Sequence, residues 1–397
     1  GSSPFWNCGC GNTWTVRSSL DSSILMVLEA NFPKFGGAER QLETLANALQ
    51  QQGHRVRVVL PRLLPEYPAG ADRHNGLDLW RIDYPRLRLL GTLVLLLKLS
   101  WWLWRERKHY DAIHVHIAHH MGAVAALVGR LLGKPVVLKF SGWWELERGC
   151  LRPDGGIGAA LSRWMLRRAS GVQAISTRFI EDLKRYGFRP ERLHWIPNAV
   201  DTTRFEKIVH PSEGHTPSTV VFVGRLVAEK GLDNLLRAWA MAAEARHGWR
   251  LLLVGDGPLR DSLLALAEAL GVADSVVFHG ASTHVEQQLA EADIGVLASR
   301  FEGLSNTLLE CMAAGLPMIA TRISGSEDFV ETGRNGWLCA ADSVEALSEA
   351  LLTALNMAPA MRRQLGDQAR ADVVARASIA AVTSQLVRLY RTPAGAH

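Results

Sequence analysis

Two glutamates, eight positions apart, stand at the start of an apolar helical pattern. The segment reads SRFEGLSNTLLECMAAG, which places Glu302 in a turn and Glu310 about one turn inside the helix. Ser305 or Asn306 suits the N-cap, so backbone N–H groups from Gly303 onward would face an anion. A buried carboxylate at Glu310 could accept hydrogen bonds from vicinal hydroxyls such as those of ribose, and Glu302 could orient sugar hydroxyls or stabilise a cationic anomeric carbon. The helix macrodipole explains one first-turn acid, but not both.

Two further segments could bind an anion. The segment VVFVGRLVAEKG places Gly224 and Arg225 at the end of a predicted strand and Lys230 before the next helix. A guanidinium and an ammonium at such a point suit a diphosphate, although isolated surface cations are common. Gly36 and Gly37 precede another predicted helix, where they indicate either a close backbone approach to an anion or a simple turn.

The elements that position these groups alternate between short apolar strands and amphipathic helices. Strands are predicted at 24–29, 55–60, 112–116, 135–140, 171–175, 193–196, 219–223, 250–254, 275–278, 294–297 and 317–320. Helices are predicted at 38–51, 232–246, 259–270, 284–291, 305–314, 324–331 and 343–355, and others lie between the earlier strands. Continuously apolar strands separated by helices indicate parallel sheets covered on both faces. We therefore predict an α/β protein with two Rossmann-like domains that face each other across a ligand-binding cleft.

A polar stretch at 206–218 divides the predicted pattern into two domains. The first covers 24–205 and the second 219–378, with helix 379–391 expected to return to the first domain. Residues 1–23 lack the basic and apolar regions of a signal peptide, and we expect them to be a disordered or expression-derived tail.

Charge is divided unevenly between the two halves. Residues 1–207 contain 29 Lys/Arg and 18 Asp/Glu, whereas residues 208–397 contain 15 and 21. A basic first half suggests an anionic partner, and a dispersed solvated surface is the alternative. The five cysteines, at positions 8, 10, 150, 311 and 339, form neither a disulfide framework nor a zinc pattern, which favours a reduced, cytoplasmic compartment.

The longest apolar run, 89–104, is too short for a membrane span and is interrupted by Lys98. The run ends with the residues WWLW, and basic residues follow it. Such a helix could lie on an anionic membrane surface or could be a buried helix of the domain. The sequence leaves both explanations open.

The sequence resembles the retaining glycosyltransferases of the GT-B fold, specifically family 4, whose hallmark is Glu-x7-Glu. The two glutamates match that hallmark, and further similar blocks follow the family's order from about Ile24 to Tyr390. These blocks are AISTRFIEDLKRYGFRPERLHWIPNAVDTTRF, FVGRLVAEKG, LLLVGDGP, VVFHGA and EGLSNTLLECMAAGLPMIAT. The chain departs from the pattern at Ala199, where glycine is usual, and at Ser305–Asn306, where Gly-Leu is more frequent.

The resemblance implies a role for each matching residue. It implies that Gly36 and Gly37 lie near the diphosphate of the donor nucleotide and that Arg225 and Lys230 bind its phosphates. Ala281 would lie near the base, and Glu310 would bind the ribose. It also implies that Glu302 and the amides of Gly303, Leu304 and Ser305 hold the transferred sugar.

The histidines of DAIHVHIAHH match the family's His-x-His. By this resemblance, His116 is a catalytic residue beside the reacting face of the sugar. We interpret His114 as a core residue of an alternating strand. The sequence leaves His119 and His120 open between loop surface and acceptor contacts.

These expectations predict a retaining hexosyltransferase that moves a sugar from a UDP- or GDP-type donor to a hydroxyl acceptor. No Asp-x-Asp motif is present, so we expect no metal and no other cofactor, and no nucleic-acid partner. The basic, Trp-rich first half favours a glycan or glycolipid acceptor in bacterial surface polysaccharide synthesis, with the protein cytoplasmic or peripheral on an anionic membrane. A sugar-nucleotide epimerase of the same fold and a catalytically silent sugar-nucleotide or glycan-binding module are the alternatives.

Overall fold

The computed structural model describes residues 22–33, 36–87, 90–142, 145, 149–152, 155–208 and 218–393. Most of the expected tail, most of the expected linker, and Leu89 of the apolar run lie outside these ranges.

The first domain is built on a mostly parallel sheet of eight strands. They are β1 (Ser23–Val27), β2 (Arg55–Pro61), β3 (Gly70–His74), β4 (Leu77–Ile82), β5 (Ala112–Val115), β6 (Val136–Phe140), β7 (Gly171–Ala174) and β8 (Leu193–Trp195), in the order β3-β4-β2-β1-β5-β6-β7-β8. All neighbours pair in parallel except β3 with β4. The central strands β1, β5, β6 and β7 are buried throughout, as expected for a sheet covered on both faces.

The second domain contains a smaller, wholly parallel sheet. Its strands are β9 (Ser218–Val223), β10 (Trp249–Val254), β11 (Val276–Gly280), β12 (Ile294–Leu297), β13 (Met318–Thr321) and β14 (Gly336–Cys339), in the order β11-β10-β9-β12-β13-β14. In both sheets the strand order reverses beside the first strand of the domain, and ligands of such sheets collect at that switch point. The predicted pair of Rossmann-like domains is confirmed.

Helices cover both sheets. In chain order they are α1 (Gly37–Gln51), α2 (Leu90–Arg105), α3 (His120–Leu131), α4 (Gly156–Leu166), α5 (Thr177–Arg185), α6 (Leu232–Met241), α7 (Arg260–Ala269), α8 (Val285–Ala290), α9 (Asn306–Ala313), α10 (Ser326–Phe329), α11 (Val344–Leu355), α12 (Pro359–Ala377) and α13 (Ile379–Arg391). Helix α6 ends five residues before its predicted end at 246, and most other predicted boundaries differ by one or two residues.

Three strands have no counterpart in the sequence prediction: β3, β4 and β14. Strand β3 reads GADRH. It lies at the edge of the sheet and pairs with only one strand, so its sequence is polar. Strand β14 is only four residues long, which is too short for a clear period.

The C-terminal helix α13 packs on the first domain, although the chain has already passed through the second. Val382, Leu386 and Tyr390 belong to the same buried cluster as the strands and helix α1 of the first domain. The crossing point is held by backbone hydrogen bonds from Val200 to Ala377 and from Ile379 to Val200, of 2.9 and 3.2 Å.

Helix α2 has two different faces. Leu95, Leu99, Trp102 and Leu103 are buried against the sheet and α3, whereas Leu90, Leu93, Leu97, Trp101 and Trp104 are exposed. The buried face agrees with a core helix of the domain, and the exposed apolar face leaves the membrane-surface explanation a prediction. Within the described part of the chain, no helix combines the length and the apolar character that crossing a membrane requires.

Candidate functional site

A cavity of about 770 Å³ lies between the two domains, at the carboxyl ends of their strands. It is lined by ten residues that the sequence singled out: Gly36, Gly37, Arg225, Lys230, Ala281, Glu302, Gly303, Leu304, Ser305 and Glu310. His116 is not among the lining residues. The cavity is of the size expected for a small-molecule site.

The N-terminus of α9 opens on this cavity. Ser305 is the N-cap, and its hydroxyl accepts a hydrogen bond of 3.4 Å from the backbone N–H of Leu308. The first helical residues, Asn306 and Thr307, line the cavity together with the preceding turn. Backbone N–H groups at a helix N-terminus and the helix dipole favour an anion at this point.

The two predicted cations occupy different electrostatic settings. Lys230 forms an ion pair with Glu302, and the Ser299 hydroxyl donates a hydrogen bond of 3.4 Å to the same carboxylate. Arg225 is exposed in the cavity and forms no ion pair among the residues that the structure describes. The guanidinium of Arg225 is thus the cation of this wall that is available to a ligand.

Glu310 lies deeper than Glu302. Its side chain is only 13% exposed, and its nearest cation is Arg40 on the opposite domain, with Nη1 4.0 Å from Oε1. Burial raises the pKa of Glu310, and the positive charges of Arg40 and Arg204 act against that increase. A carboxylate with so few partners retains free acceptor sites for the hydroxyls of a ligand.

A network of buried amides joins the domains beside the cavity. The Gln41 amide nitrogen donates to the Ala199 carbonyl (2.8 Å) and to Asn306 Oδ1 (3.2 Å), while Ala199 N–H donates to Gln41 Oε1 (2.9 Å). Asn198 donates to Asn306 Oδ1 (2.9 Å) and to the Leu304 carbonyl (3.2 Å). These hydrogen bonds fix the start of α9 relative to α1. The sequence reasoning missed Gln41 and Asn198, although Gln41 is a polar residue on the buried face of α1.

Gly303 is a point of close approach between the second domain and the first. A Cβ atom at this position would overlap the carbonyl oxygen of Ser141 and would lie 3.0 Å from the side chain of Ile175. The absence of a side chain therefore lets the turn before α9 contact the first-domain wall of the cavity.

Lys139 is a cavity residue that the sequence reasoning missed. It lies in β6, its side chain is 1% exposed, and its ammonium has no hydrogen-bond partner among the described residues. Burial lowers the pKa of Lys139 to about 7, although the nearby Glu145 opposes this shift. The signal was present in the sequence as one cation within the apolar strand PVVLKF.

Glu145 organises the first-domain wall. Its carboxylate accepts hydrogen bonds from the backbone N–H groups of Ala118 (3.0 Å), Ser141 (2.6 Å) and Gly142 (2.8 Å). Burial raises the pKa of Glu145 to about 7, and the three backbone donors oppose that rise. Ser141 and Gly142 line the cavity, so this carboxylate holds the loop that lines it.

His114 and His116 are both fully buried, with ring centroids 4.4 Å apart. The Tyr390 hydroxyl and His114 Nδ1 are 2.7 Å apart, as expected for a core residue. Neither ring nitrogen of His116 has a hydrogen-bond partner in the described ranges. Burial, together with the charges of His114 and Lys139, lowers the pKa of His116 well below its usual value, so its imidazole is neutral at pH 7. A direct contact with a ligand would require movement of the cavity wall.

Two family models match the chain. The model described as Glycosyltransferase Family 4 matches residues 35–204, and the model described as Glycosyl transferases group 1 matches residues 217–357. Between them they cover both domains and both walls of the cavity.

Individual relatives agree with these matches. A GDP-mannose-dependent alpha-mannosyltransferase of Mycolicibacterium smegmatis is 28% identical over 385 residues, which are 89% of this chain and 93% of that protein. An exopolysaccharide phosphotransferase of Streptomyces coelicolor is 34% identical over 222 residues, which are 54% of this chain but only 22% of that longer protein.

The fold is shared with HepE of Anabaena, solved in complex with UDP and glucose. The TM-score is 0.72 at 21% identity, and the similarity covers 94% of this chain and 100% of that one. With both domain models matched and the two-domain architecture shared, the chain belongs to the family 4, group 1 type of GT-B glycosyltransferases.

Proposed function

We propose that the protein transfers a hexose-type sugar from a nucleotide diphosphate donor to a hydroxyl acceptor, with retention of the anomeric configuration. The observation that carries this proposal is that one cavity brings together Arg225, which forms no ion pair among the described residues, and a helix N-terminus, both suited to a diphosphate, with the buried Glu310. The relatives' names add support, because one depends on GDP-mannose and a protein of the same fold binds UDP.

In the proposed reaction, the bond between the anomeric carbon and the diphosphate oxygen breaks and the diphosphate leaves with the electron pair. Arg225 and the N–H groups of α9 are placed to stabilise the negative charge that develops on it. The acceptor oxygen bonds to the same face of the sugar and its proton passes to the leaving phosphate. We propose that no metal participates in this step.

Lys139 would supply a further cation, from the opposite domain. It is a lining residue of the same cavity and its buried ammonium has no partner among the described residues, so a donor phosphate or sugar hydroxyl that reached it would satisfy it. His116 remains a predicted catalytic residue, and its burial implies that donor binding must rearrange the wall around it.

A panel of UDP-, GDP-, ADP- and dTDP-sugars, measured by thermal shift and by slow donor hydrolysis, tests this assignment. We expect one nucleotide class to stabilise the wild type and to be hydrolysed, and Arg225→Ala to lose both effects. Arg237→Ala is the matched control, because Arg237 is an exposed arginine of the same domain that does not line the cavity. Formation of an epimerised sugar nucleotide without any acceptor would support the epimerase instead, and binding with no turnover would support a silent module.

We also propose that the acceptor is presented at an anionic membrane surface. Helix α3 packs against both α2 and α4, and each of these two helices also has exposed apolar side chains. Trp101 and Trp104 are 55% and 54% exposed, and Ile157 on α4 is 90% exposed. Three arginines lie over exposed rings on these helices: Arg105 over Trp101 (5.1 Å), Arg107 over Trp104 (4.4 Å) and Arg168 over Trp164 (3.2 Å). Apolar side chains next to cations suit an interfacial helix on anionic lipid.

Flotation with vesicles of phosphatidylglycerol or of phosphatidylcholine tests this surface. We expect the wild type to float with the anionic vesicles alone, and Trp101→Glu/Trp104→Glu to remain unbound. The control is Val277→Glu/Val374→Glu, which adds the same charge at two exposed apolar residues of the second domain. Equal binding to both lipids, or undiminished binding of the double variant, would remove the membrane from the proposal and leave the transferase intact.

A further inference from the structure

A second group of reactive side chains lies outside the sugar-donor cavity. His119 and His120, at the start of α3, meet Cys150 from the segment after Glu145. One potential ligand atom of each residue lies within 4.8 Å of those of the other two, and His120 Nδ1 is 3.3 Å from Cys150 Sγ. Cys150 is buried and both histidines are partly buried.

Glu29 orients one of these imidazoles. Its Oε1 is 2.9 Å from His119 Nδ1, and its Oε2 accepts a hydrogen bond of 2.7 Å from the backbone N–H of Met121. With Nδ1 held by the carboxylate, Nε2 is the ring nitrogen of His119 that would bind an ion. A carboxylate that fixes the tautomer of a histidine in this way is the usual outer partner of a metal-bound imidazole.

The spacing of these atoms suits a small tetrahedral ion. Zn–N distances of about 2.0 Å and Zn–S distances of about 2.3 Å place nitrogen and sulfur about 3.5 Å apart at a tetrahedral angle. The separation of 3.3 Å between His120 and Cys150 is close to that value, and all the potential ligand atoms lie within 4.8 Å of one another. Two imidazoles and one thiolate are ligands that Zn²⁺ prefers over Mg²⁺ or Ca²⁺.

We propose that His119, His120 and Cys150 bind one Zn²⁺ ion, with Glu29 as the positioning residue of His119 and a fourth position left to water or a ligand. The ion would tie the segment around Cys150 to the start of α3. None of the three ligands lines the donor cavity, so the site is separate from the diphosphate chemistry. The linear sequence concealed it, because adjacent histidines followed thirty residues later by one cysteine match no common zinc pattern.

The site also adjoins the first-domain wall of the cavity. Ala118 directly precedes the two histidines, and its N–H donates to Glu145, which also holds Ser141 and Gly142. An ion at the cluster would therefore restrain both segments that Glu145 connects. A thiol–imidazole hydrogen-bond cluster without an ion is the competing explanation, and the experiment distinguishes the two.

The test is zinc stoichiometry and cobalt absorption of the full chain carrying Cys8→Ser and Cys10→Ser, because that Cys-Gly-Cys pair could bind zinc itself. We expect one equivalent of zinc to remain after dialysis, and Co²⁺ to give an intense d–d spectrum with a thiolate charge-transfer band. In the same background, Cys150→Ser and His120→Gln should each lose the metal and the band. Glu29→Gln should weaken zinc affinity by roughly 10–100-fold.

Cys339→Ser is the matched control, since Cys339 is also buried but lies outside the cluster. Circular dichroism shows whether each variant is folded, and His120→Gln keeps the test valid if Cys150→Ser unfolds. Substoichiometric zinc in the parent, a cobalt spectrum without the thiolate band, or unchanged zinc content in folded Cys150→Ser or His120→Gln would overturn the proposal. None of these outcomes depends on glycosyl transfer, so the proposed function is tested separately.

Discussion

The two walls of the cleft differ in the exposure and pairing of their charged side chains. The second-domain wall presents its charges openly: Arg225 is exposed, Lys230 and Glu302 neutralise each other, and Glu310 is reached from the cavity. The first-domain wall carries the exposed Arg40, but it buries Lys139, which is unpaired among the described residues, and Glu145, whose carboxylate accepts hydrogen bonds from backbone N–H groups.

The difference indicates a division of labour between the domains. A mobile, solvated guanidinium can bind a diphosphate at little cost, because it remains hydrated until the ligand arrives. A buried, unpartnered ammonium has already lost its hydration, so the free protein is destabilised until a ligand satisfies it. We expect substitutions on the second-domain wall to lower activity without changing stability, and substitutions on the first-domain wall to change both.

The sharpest test of the second-domain wall is Arg225→Ala. Losing one preorganised charge-stabilising group should lower kcat by about 10²–10³-fold, while the free energy of unfolding stays within error of the wild type. Donor turnover and urea unfolding measure the two quantities, with Arg237→Ala as the control. Turnover near the wild-type level would contradict the role given to this wall.

The contact between the walls is tested by Gly303→Ala. The added methyl group would collide with the Ser141 carbonyl and hold the walls apart, and a displacement of about 1 Å should cost about 10²-fold in kcat/KM. Gly158→Ala is the control, because no atom lies within 4 Å of the added Cβ there. Equal activities of the two variants would show that the close approach does not matter for turnover.

A smaller effect is expected for Glu310→Gln. The amide retains the shape of the carboxylate but loses a charge-assisted hydrogen bond to the ligand, so nucleotide affinity should fall roughly tenfold. Isothermal titration with the nucleoside diphosphate and its 2′-deoxy analogue measures the change, with exposed Glu268→Gln as the control. If wild type and variant discriminate equally between the two nucleotides, Glu310 does not bind the ribose.

The substitution Lys139→Met tests the first-domain wall through the pH dependence of the free energy of unfolding. The folded pKa of Lys139 is about 7 and the unfolded value is 10.5, so between these limits the unfolded chain binds the extra proton. Wild-type stability should therefore rise with pH across this window, by up to about 1.4 kcal/mol per pH unit for one proton, and fall as pH decreases toward 7. Urea unfolding should show that Lys139→Met lacks this pH-dependent increase in stability and is at least as stable as the wild type at pH 7.

Exposed Lys108→Met serves as the control for that slope. If the free energy of unfolding changes with pH in the same way in the wild type and in Lys139→Met, the Lys139 ammonium is not desolvated. Donor KM should nevertheless rise in Lys139→Met, because the cavity loses a cation.

The sequence predicted the second-domain wall well because its signals are local. Arg225 and Lys230 follow one strand, and Glu302 and Glu310 frame one helix start, so each group is positioned by elements within a few residues. Of the two residues predicted for the N-cap, Ser305 and Asn306, Ser305 is the N-cap and Asn306 is the first residue of the helix.

Apart from Gly36 and Gly37, the first-domain wall was not predicted, because it depends on distant pairings. Glu145 accepts a hydrogen bond from Ala118, 27 positions away, and Gln41 reaches Ala199 across 158 positions. No window of the sequence contains these partners together. The edge strand β3 was also missed. Its residues contact solvent as well as the sheet, so its sequence lacks the apolar pattern of the central strands.

The return of α13 to the first domain has a consequence for biosynthesis. Strands β1 and β5 are translated before the second domain, yet the side chains that close their far face, Val382, Leu386 and Tyr390, are translated only after it. The nascent first domain must therefore keep an open apolar seam while the whole second domain is made. Because the missing helix is encoded after the second domain, the two domains cannot be cut at residues 209–217 and expressed as independent, fully closed proteins.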